Sequence, residues 1–405
     1  MKKNILFLVL LLVASILPSQ GQDDLRYRRS SLYSVFINHT DDKLAKEIYD
    51  EFIHMPFPDK YNDHNLSLIS LTANKKIKDK DVDDFVKDNK IASRLVGHWF
   101  NRDLTTGECD MNLVAARGLY NASELDKAFA QNTTRGTAML ADAGEDLIGN
   151  TFLIVNDVTY FDKNEGAKVA SGILQIVGAV ASAYTGDDTY TNLAQTAGSI
   201  VETLKGFKVK IRTRLYQLVW DEETSASFYR QYWVSRGEGN TADAKARVVA
   251  FDKARDKFKM KYVGEVLSKG NETSFLGINE DHPELMIRKA CARAIDENVV
   301  DLQRKFEQFR VKTPIFSTTP YIQASIGLKE GISETSRFEV LQAEEKNGKV
   351  VYKRVGVIRP VKGMIWDNRY MAVEEGAVNA NLGATRFERV SGKNIEPGML
   401  IREMY

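Results

Sequence analysis

Four residues in one short loop have the chemistry of zinc ligands. His54, Asp59, Asp63 and His64 combine two imidazoles with two carboxylates inside a proline-containing stretch. A helical HExxH spacing would hold such ligands together, and these residues do not have it. The sequence therefore favours a turn-rich surface loop. A periplasmic metal-dependent hydrolase that uses residues 54–64 stays open as an alternative function.

Other catalytic signatures do not occur in the sequence. It contains no Walker loop, no GxSxG nucleophile elbow and no GxGxxG after a predicted strand. His98 precedes Trp99 near a predicted helix end, where a structural role is the simpler interpretation. We therefore expect a protein that is not an enzyme, with no catalytic residue, no metal site and no cofactor.

A second chemical pattern is a row of cations on one predicted strand. In "FKVKIRTRL" apolar residues alternate with Lys208, Lys210, Arg212 and Arg214. Successive side chains of a strand point to opposite faces, so these four cations share one face about 7 Å apart. Such a row suits anionic glycans or lipid head groups. A solvated sheet face is the alternative interpretation.

Residues 165–206 form a Gly/Ala-rich insert just before that strand. The segment "AKVASGILQIVGAVASAY" is apolar and small, and we interpret the insert as a helical hairpin that breaks at Gly186. Gly172, Ile176, Gly178 and Val180 are its candidate residues for a membrane or oligomer contact. The apolar helix is shorter than the roughly 20 residues of a membrane span, so a buried packing hairpin stays open too.

The elements around these patterns alternate between strand and helix. Strands are predicted at 34–37, in "LSLISL" and in "TFLIVNDVTYF". A further strand is predicted near 257–262, and like the strand with Lys208 to Arg214 it has cations on one face. Helices are predicted after the first strand, over 79–100 as one element, and over the long "HPELMIRKACARAIDENVVDLQRKFEQF". This order predicts an α/β fold, a mixed sheet covered by helices with the hairpin inserted.

The last third of the chain has a different pattern. After Pro314 short β-runs follow one another, including "RFEVLQAEE", "VVYKRVGVIRPV", "RYMAVEE", "TRFERV" and "MLIREM". Asn347-Gly348 between two runs is a hairpin turn signal. We predict a small antiparallel β-barrel-like domain over residues 313–405, after an α/β domain over 22–312.

The N-terminus has the pattern of an export signal. Lys2 and Lys3 precede an apolar run and then small residues, which predicts a signal peptide over residues 1–21. The 405-residue chain has a formal net charge of +1. Removing the two lysines takes it to about −1, so bulk charge argues against nucleic acid as a partner. Cys109 and Cys291 are two buried thiols or, less simply, one disulfide.

Four segments occur in the chain in this order: "VAARGLYNASELDKAF", "GNTFLIVNDVTYFD", "KVKIRTRLYQLVWDEETSASF" and "HPELMIRKACARAIDENVVDLQRKF". In pattern and order they resemble the α/β domain of the curli secretion channel family. That family also occurs in outer-membrane flagellar assembly proteins. The resemblance covers roughly residues 34–309 and rests on hydrophobic patterns. It implies that residues 162–206 occupy the place of a membrane-spanning β-hairpin, although the insert here has a helical pattern.

The resemblance also implies a lipidated N-terminal cysteine, and no cysteine lies near the predicted signal cleavage site. An assembly or accessory role is therefore expected in preference to a pore. The sequence predicts an exported protein of the periplasm or outer membrane, not lipid-anchored, that acts in assembly or secretion. Its expected partners are envelope proteins or further copies of itself. A glycan- or anion-binding module remains an alternative.

Overall fold

The described residues form two sheets with separate cores. A computed structural model describes residues 30–41, 45–55, 57–58, 60–73, 77–114, 147–162, 206–254, 256–273, 283–310, 312–346 and 349–405. The first sheet is mixed and carries helices, and the second is antiparallel and nearly closed. The predicted mixed α/β fold with a following barrel-like sheet is confirmed. The signal peptide, the hairpin insert and Asn347-Gly348 lie outside the described residues.

The first sheet has its most buried strands in the middle. Its strands are β1 (Ser31–His39), β2 (Asn62–Asp63), β3 (Ser70–Ala73), β4 (Thr151–Asp162), β5 (Gly206–Leu218) and β6 (Met260–Thr273). The order is β2-β1-β4-β5-β6, and β3 also pairs with β1. β1 runs parallel to β2, β3 and β4, whereas β4, β5 and β6 are antiparallel. Apolar runs on both faces of β1 and β4 fit strands that are covered on two sides.

Helices cover both faces of this sheet. They are α1 (Ala45–His54), α2 (Asp79–Asp88), α3 (Ile91–Trp99), α4 (Glu222–Gln231), α5 (Ala242–Lys253) and α6 (Pro283–Lys305). One core joins the sheet to α2, α3, α4 and α5 around Trp99, Phe100 and Phe228. The opposite face packs on α1 and α6. Asp221 and Thr241 accept the N–H groups that begin α4 and α5, as N-cap residues do.

The single helix predicted over 79–100 is wrong, because the chain forms two helices there. Asn89 caps α2, since its side-chain amide donates to the Phe85 carbonyl at 2.9 Å. Lys90 then adopts a left-handed conformation with φ of 53°. A residue in the left-handed conformation just after the last turn ends an α-helix. The turn separates the acidic α2 from the mostly buried α3.

Buried polar side chains tie the layers together. Asn298 of α6 donates to the Thr213 hydroxyl of β5 at 2.7 Å, and that hydroxyl donates to Asn156 of β4 at 2.8 Å. Asn156 in turn donates to Ser34 of β1 at 3.1 Å. Asn298, Thr213 and Asn156 are fully buried. This chain of hydrogen bonds crosses three strands and fixes the position of α6 on the sheet.

The second sheet has the order β7-β12-β9-β10-β11-β8. Its strands are β7 (Thr313–Pro314), β8 (Ile322–Ala324), β9 (Arg337–Lys346), β10 (Lys349–Pro360), β11 (Thr385–Gly392) and β12 (Leu400–Met404). A bridge between Ser317 and Gln323 brings the chain after β7 next to β8, which nearly closes the sheet. The strand predicted at "RYMAVEE" is wrong: residues 369–375 form turns, and Met371 has a φ of 61°.

Ion pairs attach the connection between β10 and β11 to α6. Lys289 and Arg293 both contact the Glu375 carboxylate, Arg293 at 2.7 Å. Cys291, between them, faces the first sheet and is a free thiol. Cys109 is also free and buried, in the core on the opposite face. The alternative of two buried thiols is therefore the correct one.

Candidate functional site

The predicted row of cations lies on the face of the first sheet where α2 begins. Arg214 has a side chain that is 1% exposed, and its Nε and Nη2 donate to the Asp79 carboxylate at 3.1 and 2.8 Å. Asp79 opens α2, where the helix dipole favours a carboxylate. The hydrogen bond from Arg214 holds the pKa of Asp79 below its ordinary value of 3.8. The Arg214 guanidinium is therefore already engaged within the chain.

Two further carboxylates complete this group, which we call the sheet-face cluster: His39, Asp79, Asp157, Arg212, Arg214 and Glu265. His39 Nε2 lies 2.7 Å from Asp157, and the other oxygen of Asp157 lies 4.0 Å from Arg214. Arg212 contacts Glu265 at 3.0 Å. Three carboxylates thus face two guanidinium groups and one imidazole. The cluster is nearly balanced in charge, in contrast to the cationic face that the strand pattern suggested.

The four predicted anion-binding residues have different surroundings. Lys210 is exposed, and Arg212 is 44% exposed beside Glu265. Arg214 lies beneath them at the floor of the cluster. Lys208 belongs to β5, and its side chain lies outside the described part of the chain. The anion-binding role of this row stays a prediction, and its exposed members among the described side chains are Lys210 and Arg212.

The carboxylates of the cluster escaped the sequence analysis. Asp79 lies 135 positions from Arg214 along the chain, and no local pattern pairs the two residues. A strand pattern indicates which residues share a face and leaves open what packs on that face. The acidic first turn of "DKDVDDF" indicates a helix start, where the dipole favours carboxylates, but it does not indicate which cation they meet.

The structure separates the residues of the 54–64 loop. His54 ends α1 on the α6 side of the sheet and is exposed. His64 is buried on the opposite side, with its ring 4.7 Å from that of Trp99. Asp63 is exposed and accepts the Asn65 N–H, while Asp59 lies outside the described residues. In the described part of the chain no three His, Cys, Asp or Glu side chains form a metal-binding group.

The strands that flank the hairpin insert form an extension of the first sheet. β1 pairs with β4 as far as Ile37 and Asp157, and β4 continues to Asp162. β5 pairs with this part of β4, and the last pair joins Phe207 to Asp162. β6 pairs in turn with β5, and the last pair joins Thr273 to Gly206. The sheet therefore has a three-stranded arm, which consists of residues 158–162, 206–211 and 268–273. At about 3.3 Å per residue, the arm extends roughly 17 Å beyond the last pair between β1 and β4, which is Ile37 with Asp157.

Helix α6 supports one side of this arm. Val158, Val209 and Ile211 are buried against Ala290 and Ala294 of the helix. The Ser268 hydroxyl donates to the Ala294 carbonyl at 2.9 Å, and the Asn298 amide donates to the Ile211 carbonyl at 3.0 Å. Small alanines allow close approach of helix and strands, and the two hydrogen bonds fix their relative position. The arm is thus a braced base for the segment that leaves its end.

That segment contains the predicted contact residues. Gly172, Ile176, Gly178 and Val180 lie outside the described residues, so their role stays a prediction. Within the described ranges no helix has both the length and the apolar character needed to cross a membrane. No family model matches this chain, and no curated protein matches it either.

Proposed function

We propose that the protein is an exported, non-catalytic cell-envelope protein that acts in outer-membrane assembly or secretion. In this proposal residues 165–206 are the working part and form a Gly/Ala-rich helical hairpin. Gly172, Ile176, Gly178 and Val180 make its contacts with envelope proteins or with further copies of the chain. The predicted signal peptide over residues 1–21 directs export.

The observation that carries the proposal is the geometry of the arm. The insert leaves β4 after Asp162 and returns into β5 at Gly206, and Asp162 is paired with Phe207. Both ends of a long segment therefore meet at one point, at the end of a braced three-stranded extension. A packing element would serve better if it began next to the core. A segment held at the end of an arm is suited to contact something other than its own domain.

The resemblance to the curli secretion channel family supports the same role. That resemblance implies an insert between these two strands, and the pairing of β4 with β5 is the arrangement that such an insert requires. The helical pattern of the insert favours an assembly or accessory role for this chain. The protein then acts through its surfaces.

The experiment is membrane fractionation and cross-linking of the mature protein, with and without the insert. Because Asp162 and Phe207 are direct partners, a two-residue Asn-Gly turn can replace residues 163–206 and close the β4–β5 hairpin. We expect the intact protein to sediment with envelope membranes or as a cross-linked oligomer. We expect the shortened protein to be a soluble monomer.

A folding control is needed because a deletion can also unfold the chain. The shortened protein should keep the urea midpoint of the intact protein, since the buried network at Thr213 lies below the arm. If the two proteins fractionate alike while both are folded, the insert is not the working part and the proposal fails.

A second candidate function is binding of anionic glycans, and one observation favours it. Lys210 is exposed on the side of the arm that is not covered by α6. We expect salt-sensitive retention of the mature protein on immobilised heparin, reduced by Lys210→Gln. Lys353→Gln, which removes an exposed lysine of the second sheet, is the matched control. Equal loss in both variants, or no retention, would rule out this candidate.

A further inference from the structure

A cleft lies between helix α2 and the start of β6, at the edge of the first sheet. Among the described strands β6 pairs only with β5, so its other side is open. Asp83 and Lys87 of α2 line one side of the cleft, and Lys259, Met260 and Tyr262 line the other. The cleft has a volume of about 530 Å³, within the range of roughly 300–1,000 Å³ that small-molecule sites occupy.

The apolar side chains at the start of β6 become more exposed from one to the next. Phe258 is 4% exposed within the core, Met260 is half-buried, and Tyr262 is 49% exposed. Met260 and Tyr262 share one face of the sheet, because alternate residues of a strand point to the same side. The ring of Tyr216 on β5 packs against Tyr262, with 5.4 Å between the ring centres and 63° between the ring planes. The cleft therefore contains an open aromatic surface that a neighbouring ring holds in place.

Hydrogen-bonding groups surround this aromatic surface. The Tyr216 hydroxyl donates to Asp83 Oδ1 at 2.8 Å. Burial, followed by the hydrogen bond to Asp83, raises the pKa of Tyr216 far above its ordinary value of 10.0, so the hydroxyl stays a donor. Within the described part of the chain, the second oxygen of Asp83 and the ammonium group of Lys259 have no partner. One acceptor and one donor are thus open beside the Tyr262 ring.

The charges of the lining nearly cancel. Its described carboxylates are those of Asp83 and Asp256, and its ammonium groups are those of Lys87, Lys90 and Lys259. Lys87 lies 3.7 Å from Asp256, and Lys90 donates to a main-chain carbonyl at 3.0 Å. An anionic ligand would meet the Asp83 carboxylate, and a purely apolar one would remove water from the open acceptor and donor. The lining therefore suits an uncharged molecule with an apolar face and hydrogen-bonding edges.

We propose that the α2–β6 cleft binds an uncharged hexose, either free or as a unit of an oligosaccharide. A sugar ring has an apolar C–H face, which stacks on Tyr262, and hydroxyl groups that both donate and accept. Asp83 accepts from one hydroxyl and Lys259 donates to another, and hydrogen bonds to charged groups are the stronger ones. Lys210 lies roughly 20 Å away along β5, at about 3.3 Å per residue. The site is thus independent of the proposed function and of the anionic-glycan candidate.

Saturation-transfer NMR and isothermal titration of the mature protein test this site. The probes are glucose, N-acetylglucosamine and the linear trimer of each sugar. We expect saturable binding at one site per chain. Tyr262→Ser should weaken this binding about tenfold because the stacking surface is lost, and Tyr262→Phe should retain most of it. Tighter binding of a trimer than of its monomer identifies an oligosaccharide as the ligand, and equal binding identifies a free sugar.

Matched variants make the result specific. Tyr321→Ser removes a 36% exposed tyrosine next to β8 and should leave binding unchanged, as should Lys210→Gln. Asp83→Asn removes the charge of an exposed residue and should weaken binding about threefold or more. If Tyr262→Ser does not fold, Asp83→Asn still decides the question. No saturable binding of any of these sugars, or equal weakening by Tyr262→Ser and Tyr321→Ser, would overturn the proposal.

Discussion

Removal of one buried hydroxyl should destabilise the first sheet strongly. The Thr213 hydroxyl accepts from Asn298 at 2.7 Å and donates to Asn156 at 2.8 Å, and all three residues are fully buried. Thr213→Val keeps the shape and leaves an unpaired acceptor on Asn156 and an open donor on Asn298. Each unsatisfied buried group costs roughly 1–3 kcal/mol, so the two groups together should lower the free energy of unfolding by about 2–6 kcal/mol.

Urea denaturation followed by circular dichroism measures this loss. The midpoint should fall while the denaturant slope stays the same, because the surface exposed on unfolding does not change. Thr213→Ser keeps the hydroxyl and should lose much less stability than Thr213→Val. Thr159→Val makes the same chemical change at an exposed threonine of β4 and should stay within about 0.5 kcal/mol of the native protein. Equal stability of Thr213→Val and Thr159→Val would show that the buried hydrogen bonds of Thr213 do not stabilise the first sheet.

Three further predictions concern other parts of the first sheet. The pKa of Asp79 is lowered in the folded state, so the ionised carboxylate stabilises the fold above its ordinary pKa of 3.8. This stabilisation is lost as the pH falls through the lower folded pKa. In acid titrations we therefore expect Asp79→Asn to be less stable than the native protein at pH 7 and to approach its stability below about pH 4. Gly264→Ala places a Cβ 2.2 Å from the Phe306 ring, so we expect the free energy of unfolding in urea to fall by about 1–3 kcal/mol. An unfolding midpoint equal to that of the native protein would contradict this packing. Burial raises the pKa of Cys109 to about 11 and of Cys291 to about 12. We therefore expect neither thiol to react with a disulfide reagent at pH 8 until the protein is denatured. Rapid labelling of the folded protein would show that a thiol is accessible.

Elements with a strong hydrophobic period were predictable from the sequence. The apolar run of β4, the alternation of β5 and the long apolar stripe of α6 each identified an element that the structure contains. Their bounds depend on local patterns that a single sequence shows. The mixed sheet and the antiparallel sheet followed from the order of these elements.

Features that depend on long-range packing were not predictable. The pairing of Arg214 with Asp79 joins positions far apart in sequence, and nothing local indicates it. The break at Lys90 depends on a left-handed residue that is not glycine, so the helical period continues across it. At "RYMAVEE" the alternation resembled a strand, but Glu375 is committed to an ion pair with α6.

In the proposed function residues 165–206 make the intermolecular contacts of this protein, and single-cysteine cross-linking in envelope membranes is the decisive measurement. Both native thiols are buried, so Ile176→Cys introduces a reactive thiol within the insert, and Lys353→Cys introduces one at a 64% exposed position of the second sheet. We predict that a thiol-specific cross-linker joins Ile176→Cys to a further copy or to an envelope protein, and leaves Lys353→Cys as a monomer. If Ile176→Cys stays an uncross-linked soluble monomer like Lys353→Cys, the insert makes no such contact and the account is contradicted.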